Sequence, residues 1–530
     1  MRCGANRWCP CSSCVDLATV LTLIRTHASA AVGLGHLRRC LSLASALRER
    51  GGEVLFGLNT SDVDASATVV AEGFSARTFA LPDGATAGAD ADTFIACFAD
   101  VLADGRTVDW VLVDHYGLGA CWQSRVVERL ACRVAAIDDL ADRPLSADLL
   151  IDHNLVPPPG HRSRYARCML REPLAWLCGP RFALLGPAYR QQRPFTVAAK
   201  VRSIGIFLGG TDPAALSATA LQACRAVARF DGPIEMVSTS ANPGLAALRQ
   251  TIAQDPLVRL SIDLPDLADF YARHDLQIGA GGGATWERCC TGVPTLTLCV
   301  ASNQAAVIPG LQALGVLVST ADNSAAAIGL ALRALIDSPA QRQALSLGGR
   351  ALVDGRGAER VAWSMFVHSA CPLALRPATA SDSPTLWSWR NDPATRAASR
   401  QSDTIAWDTH AAWLERTLAD PGRALWLAHL HGCLVGVIRF DTLVDGGQEV
   451  SLYLDPGLHG LGLGAALLSA GEQALAQRLG PFTVHAEVLP DNPASQRLFQ
   501  AAGYQATSAL TFSKTVASCA DGAGGRQELH

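Results

Sequence analysis

Three glycine-rich turns carry most of the chemistry legible in this 530-residue sequence. The first, "VGLGHLRRCLSLASAL", sets Gly33, Gly35 and His36 between an apolar strand and an amphipathic helix. Glycine reaches backbone angles closed to other residues, so the helix can present its free N–H groups and positive dipole end to an anion. That dipole opposes protonation of His36, which suits a neutral imidazole acting as general base toward water. A helix-start packing histidine would read the same way. The second turn, "GAGGGATWE", places Gly282 and Gly283 before a helix whose first turn holds Glu287. Two such turns across a cleft point to a nucleoside diphosphate. A dinucleotide-binding reading of the first fails, because the third glycine is absent and no acid ends the next strand, "EVLFGLN". The third turn, "DPGLHGLGLGAALL", offers His459, Gly460, Gly462, Gly464 and Ala465 at the head of a long helix, as a pyrophosphate site would.

Carboxylates and imidazoles gather at strand ends between these turns. "VDHY" puts Asp114 and His115 there, and "IDDLADRP" adds Asp138, Asp139 and Asp142 in the loops that follow. Such groups orient a sugar or a histidine, or serve as turn and cap residues.

The elements that must position them follow a clear rhythm. From Thr19, short apolar strands ("TVLTLIR", "EVLFGLN", "DWVLVD", "RVAAID", "DLLID") alternate with helical segments, and the alternation restarts at "SIGIFLGGTDP" after the proline-rich "VPPPG". This predicts an α/β chain of two Rossmann-like doubly wound domains, at 19–180 and 181–370, with ligands outside the carboxyl ends of the strands. From Leu373 a strand, tryptophan-rich helices and a strand meander predict a third, mixed α+β domain over 371–515. The flanks, 1–18 and 516–530, read as a leader and a tail without a core to join.

A formal charge of −4 gives no electrostatic reason to expect nucleic acid or an anionic membrane as partner. "VDLATVLTLI" is too short to span a bilayer. The 17 cysteines are scattered as small buried hydrophobes, which fits a reducing, cytoplasmic compartment. Cys3, Cys9, Cys11 and Cys14 contain one C-x-x-C pair and precede any fold, so a leader is favoured over a zinc site. No metal is expected in the cleft sequences, and the oligomeric state stays open.

Together "IRTHASAAVGLGHLRRCLSLA", "DHYGL", "IDDLADRPLSADLLIDHN", "GPRFALLGPAYR", "LGGTDP" and "GAGGGATWERCCTGVPTLTLCVASNQ" resemble the UDP-sugar hydrolases of pseudaminic acid biosynthesis. Those enzymes have a glycosyltransferase B-type fold and release UDP from UDP-2,4-diacetamido-2,4,6-trideoxy-β-L-altropyranose. The resemblance implies that His36 is the catalytic histidine, Glu287 the acid on the uridine ribose, and Asn303 and Gln304 the pair near diphosphate and sugar. Gly35, Asp114, His115, Gly210, Asp212, Gly282 and Gly283 are expected to bind substrate as well. Three positions depart from the family: His27 replaces an aspartate, His153 a glutamine, and Gly186 an arginine for which Arg181 or Arg190 would have to compensate.

"DPGLHGLGLGAALLSAGEQAL" and "DNPASQRLFQAAGY" resemble the GNAT acetyltransferases. The likeness implies acetyl-CoA as cosubstrate, held by His459, Gly460, Gly462, Gly464, Ala465, Asn492 and Ser495, with Glu487 and Glu449 relaying a proton from an amine. The tyrosine that usually protonates the leaving thiolate would fall at Phe499. The whole then reads as a UDP-amino-sugar hydrolase fused to an amino-sugar N-acetyltransferase. A glycosyltransferase using a UDP-sugar donor, or a sugar-nucleotide-binding protein with decayed sites, is the alternative.

Overall fold

The computed structural model describes residues 19–29, 34–60, 64–82, 84–212, 214–369 and 373–517. Gly33, the leader with Cys3, Cys9, Cys11 and Cys14, and the tail from 518 lie outside the described residues. The chain divides into one unit over Thr19–Met365 and another that includes Phe366 onward.

The first unit holds two parallel sheets. One contains β1 (Leu21–Thr26), β2 (Glu53–Asn59), β3 (Ser75–Phe79), β4 (Trp110–Asp114), β5 (Arg133–Ile137), β6 (Leu149–Asp152) and β7 (Ala175–Cys178), in the order β3-β2-β1-β4-β5-β6-β7. The other contains β8 (Ile204–Phe207), β9 (Ile234–Ser238), β10 (Val258–Ile262), β11 (Leu276–Ala280), β12 (Thr295–Leu298) and β13 (Val318–Ser319), in the order β10-β9-β8-β11-β12-β13. Every residue of β1, β4 and β11 is buried, as strands covered on both faces must be. Strand order reverses between β1 and β4 and again between β8 and β11. Each sheet therefore opens a crevice at its carboxyl edge at that point.

Leu23, Val111, Val113, Phe94, Trp122 and Val134 share one core under the first sheet, and Ile204, Ile206, Met236, Leu276 and Leu296 share another under the second. An ion pair enters the first core. Arg25 of β1 forks onto Asp90 (Nε to Oδ1 3.1 Å, Nη2 to Oδ2 2.7 Å), and the Trp122 indole N–H donates to the same carboxylate at 2.8 Å. The helix Gly357–Val367 returns to the first lobe, where Arg50 Nη2 meets Glu359 Oε1 at 2.9 Å and the Trp110 indole donates to the Met365 carbonyl at 3.1 Å.

Helix α1 (Gly35–Arg48) follows β1 and buries Leu37, Cys40, Leu41, Ala44 and Leu47, a helical stripe that fixes which face meets the sheet. His36 lies on the same buried side. Helix α2 (Ala284–Thr291) follows β11 and starts directly after Gly281–Gly283, with Gly292 closing it in the left-handed region.

The second unit has a mixed sheet, β14 (Ala374–Pro377), β15 (Arg423–Leu430), β16 (Cys433–Thr442), β17 (Gln448–Leu454), β18 (Phe482–Glu487), β19 (Gln505–Ala506) and β20 (Thr511–Val516), ordered β14-β15-β16-β17-β18-β20-β19. Neighbours are antiparallel except β17 and β18. That parallel pair is joined only at Gln448 with Val484 and Glu449 with His485. Beyond those two positions the strands part. Helix α3 (Leu463–Leu479) begins after Gly462, whose φ of +81° only glycine takes without strain, and α4 (Pro493–Ala501) begins under the Asn492 cap. Among the described residues no helix is long and apolar enough to cross a membrane.

Candidate functional site

The first crevice, between β1 and β4, brings His36 from the start of α1 onto Asp114 at the end of β4. The Nδ1 to Oδ1 distance is 2.6 Å, and both side chains are buried. Arg39, one helical step along α1, grips the same carboxylate with two prongs, Nε to Oδ2 and Nη2 to Oδ1, each 2.6 Å. Burial would push the Asp114 carboxyl up, but the Arg39 and His36 charges and hydrogen bonds overcome it and hold the group well below the usual carboxylate range. An ionised carboxylate only accepts, so His36 must present Nδ1–H to it, and in the neutral imidazole Nε2 then carries the lone pair. The Arg39 nitrogen 3.0 Å from Nδ1 is then a neighbouring donor and not a competing partner.

The surround is polar and tightly packed. The Tyr116 ring meets His36 edge-on at 4.6 Å, and the Tyr116 hydroxyl donates to Asp139 at 3.4 Å. Asp139 also lies 3.5 Å from Arg39 Nη1. Asp138 is taken up by Arg143 (2.7 Å) and by the N–H groups of Leu140 and Ala141, while Asp142 also faces Arg143 at 3.0 Å. His115 accepts from the Gly117 N–H at 2.9 Å and packs edge-on against His27 at 5.0 Å. Burial, helped by Arg25 and His27, pushes the His115 imidazole down to about 4. His153, after β6, is also pushed down to about 4, by burial and then by Arg39, and its ring faces Trp286 of the other lobe at 6.1 Å.

From the second crevice come backbone groups and one acid. Gln304 ties the turn together by accepting from the N–H groups of Gly281 (3.2 Å) and Val300 (3.0 Å), which leaves its amide nitrogen beside Gly282. Gly283 has open space over its Cα. Glu287 accepts from the Tyr271 hydroxyl at 3.1 Å. Burial pushes its carboxyl up, and the Tyr189 and Tyr271 hydrogen bonds pull the other way. Asp212 caps the helix Leu216–Gln222, accepting from the Leu216 (3.0 Å) and Ser217 (2.9 Å) N–H groups, so both its oxygens are already engaged. Thr239 Oγ1 donates to the Gly210 carbonyl at 2.8 Å. The Asn303 side chain lies outside what is described.

Two residues of the first lobe that the sequence did not single out matter here. Arg39 completes the His36–Asp114 pair, and Arg38 donates across the lobes to the carbonyls of Pro265 and Leu264. The i, i+3 spacing of His36 and Arg39 was the available signal, since it puts both on one helix face. At the positions that depart from the hydrolases, Gly186 precedes the short helix Pro187–Gln191 and a Cβ there would come no nearer than 3.8 Å to Ser42 Oγ. Arg190 is paired with Glu359 at 3.1 Å.

The dipole of α1 proves to be a partial account of the His36 environment. A full negative charge touches the imidazole from the opposite side, and it comes from a residue 78 positions away.

In the second unit, Glu449 and Glu487 stand where β17 and β18 part, and a single Arg400 nitrogen reaches both, at 2.5 Å and 2.7 Å. Asn492 accepts from the Ser495 N–H at 3.0 Å, and its amide donates to the Ala398 carbonyl at 3.4 Å, so these two cap α4 and hold the Arg400 loop. Phe499 is buried edge-on against Tyr504 at 4.9 Å and stacks with Phe512, a packing role. Gly460 and Gly462 both take positive φ, and the turn that follows β17 leads into the 17-residue α3. Gly464 and Ala465 lie in the first turn of α3, and His459 ends the short turn of helix Pro456–Leu458. Open backbone at a long helix start and a gap between parting strands fit a pyrophosphate-bearing cosubstrate.

Residues 373–505 match the acetyltransferase (GNAT) domain family. The C-terminal unit carries a GNAT domain. The N-terminal region is homologous to the spore coat polysaccharide biosynthesis protein SpsG of Bacillus subtilis (strain 168), at 31% identity over 198 residues, or 34% of this chain. The chain spans 56% of that relative's length. Among solved structures, MurG of Acinetobacter baumannii is similar at 13% identity, covering 66% of this chain and 99% of that one with a TM-score of 0.46. The acetyltransferase yncA of Salmonella typhimurium, solved with its cofactor acetyl-CoA, is similar at 26% identity over 26% of this chain and 81% of that one, with a TM-score of 0.23. Among the described residues no cluster of three or more His, Cys, Asp or Glu could hold a metal ion.

Proposed function

We propose that the first unit hydrolyses the glycosyl–phosphate bond of a UDP-sugar, with UDP-2,4-diacetamido-2,4,6-trideoxy-β-L-altropyranose as substrate. The observation that carries this reading is the Asp114–His36 pair at the crevice of the first sheet. Asp114 holds the Nδ1 proton, and Nε2 takes a proton from water as the water oxygen attacks the anomeric carbon. The C1–oxygen bond breaks with inversion, and the electron pair leaves with UDP. Charge growing on the diphosphate is met by the α1 N-terminus and the Gly281–Gly283 turn before α2, which need no reorganisation to meet it. Glu287 and Gln304 are assigned to the uridine ribose and the diphosphate side.

The GNAT domain is proposed to acetylate the amine of a UDP-4-amino sugar, the step before hydrolysis in pseudaminic acid biosynthesis. Acetyl-CoA supplies the acetyl group when bound. Gly460, Gly462, Gly464 and Ala465 present backbone to its pyrophosphate, and Glu449 and Glu487 accept the proton released by the amine. A tether between the two activities raises the local concentration of the intermediate.

Incubation of the full chain with the UDP-diacetamido sugar alone tests the first reading. UDP and free hexose should appear in equal amounts. UDP release that requires an added acceptor sugar would instead establish a glycosyltransferase. For the second, the UDP-4-amino sugar with acetyl-CoA should gain one acetyl group by mass spectrometry, and an unchanged mass would refute it.

A further inference from the structure

A cavity lies beside the connection between the two lobes of the first unit. It measures about 240 Å³ and is bounded by the connection from the first lobe (Tyr189 to Pro194), the carboxyl end of α2 (Cys290, Thr291) and the segment Arg350–Asp354. Three guanidinium groups line it, those of Arg190, Arg193 and Arg350, against one carboxylate, Asp354. That carboxylate is already consumed. It accepts from Arg360 Nη1 at 2.8 Å and from the Arg356 N–H at 3.0 Å, and Arg360 Nη2 closes on its other oxygen. Glu359 nearby is likewise occupied by Arg356 (2.6 Å), Arg190 (3.1 Å) and Arg50 (2.9 Å).

Arg193 and Arg350 have no acidic partner among the described residues. The other groups on the wall add no negative charge. Burial, then Asp354, pushes the Cys290 thiol up to about 11, and burial with the nearby Glu287 keeps the Tyr189 phenol protonated. Two exposed arginines without an acidic partner therefore line a concave space whose one carboxylate is already paired. Each fork can hold two oxygens of one phosphate or carboxylate group side by side, so the chemistry selects a compact, multiply charged anion.

We propose that this cavity binds a small phosphate-bearing anion through Arg193 and Arg350. The cavity touches the nucleotide-side crevice through one residue. Tyr189 forms part of its wall, and its hydroxyl serves Glu287 and accepts from the Leu267 N–H at 3.3 Å. An occupant that shifts Tyr189 changes the partners of Glu287, so anion and uridine nucleotide influence each other's affinity reciprocally.

Calorimetric titration of inorganic pyrophosphate into the full chain tests the site, with UDP and coenzyme A present in excess so that the crevice and the Gly460–Ala465 turn are both filled. One binding event is expected to remain, weakened at least tenfold in Arg193→Gln and in Arg350→Gln and lost in the double variant. Inorganic phosphate and citrate, titrated in parallel, separate phosphate recognition from general attraction of polyanions. Citrate binding as tightly as pyrophosphate would overturn the phosphate assignment. No pyrophosphate binding beside UDP, or binding unchanged in the double variant, would overturn the site itself. Both arginines are exposed, so the variants should melt with wild-type cooperativity. Coupling to Glu287 rests on the nucleotide reading above. A failure of that reading appears separately, as the absence of UDP binding in wild type, and the pyrophosphate titration can then be read without UDP.

Discussion

The chain holds two acid-and-base centres built in opposite ways. Around His36 the charges are buried, and one geometry satisfies them: Asp114 is clamped by two prongs of Arg39 and by the imidazole. Around Glu449 and Glu487 the carboxylates are roughly a third exposed and share a single nitrogen of Arg400, itself more than half exposed. Low dielectric turns the first arrangement into a fixed one, with the imidazole Nδ1–H held on the carboxylate. Water screens the second, which leaves the carboxylates open to exchange Arg400 for an amine. Burial thus assigns a role at one centre and leaves it adjustable at the other.

The sharpest way to break that contrast is at Asp114. Asp114→Ala removes the two-pronged partner of Arg39, leaving it only the 3.5 Å contact with Asp139, and should cost about 3–5 kcal/mol of stability, seen as a lower denaturant midpoint, together with loss of hydrolysis. The milder Asp114→Asn keeps the shape but no longer selects the Nδ1–H tautomer. It should fold and still lose at least about a hundredfold in kcat, and near-normal turnover would show that tautomer control is not what the carboxylate supplies. His36→Ala should lower kcat by about 10²–10⁴-fold while UDP affinity moves little, measured by rate assay and calorimetry.

Acid and alkali separate two buried aspartates of this lobe. Asp114 has its folded value depressed, so its stabilisation is full above the unfolded value near 4 and is lost as pH falls below it. Asp152 is the opposite case, pushed up to about 7 by burial despite the Asn154 N–H and Arg164. Folding then takes up a proton between about pH 4 and 7, and stability falls as pH rises through that window. Asp152→Asn should flatten the fall. Melting temperatures of wild type and variant that run parallel across the window would exclude Asp152 as its source.

At the second centre the effects are smaller. Gly462→Ala, forced into positive φ, should cost about 1 kcal/mol and weaken acetyl-CoA binding, read by thermal shift with and without the cosubstrate. Arg400→Ala should alter stability by about 1 kcal/mol or less, yet change the KM for the amine substrate in acetyl transfer by freeing both carboxylates. A loss of several kcal/mol would mean the Arg400 bridge is not the screened contact its exposure implies.

Residue pattern alone laid out the fold. Uninterrupted apolar strands such as β1 and β4 need cover on both faces, glycine turns need a helix behind them, and the change of pattern at Leu373 marks a different sheet. The place of His36 and Glu287 in the first turn of a helix was legible too, because a glycine turn and a helix start are local. What pairs with them was not. Asp114, 78 residues from His36, looked no different from Asp139 or Asp212, and only strand order makes the first the partner of the imidazole and the last a helix cap. Glu449 and Glu487 share Arg400 only because the sheet sets β17 beside β18 and the chain fold brings the Arg400 loop, far from both in sequence, against them. Local backbone preference is written residue by residue. A buried charge takes its meaning from whichever groups the tertiary packing places within about 3 Å of it, where the low dielectric makes that neighbour decisive.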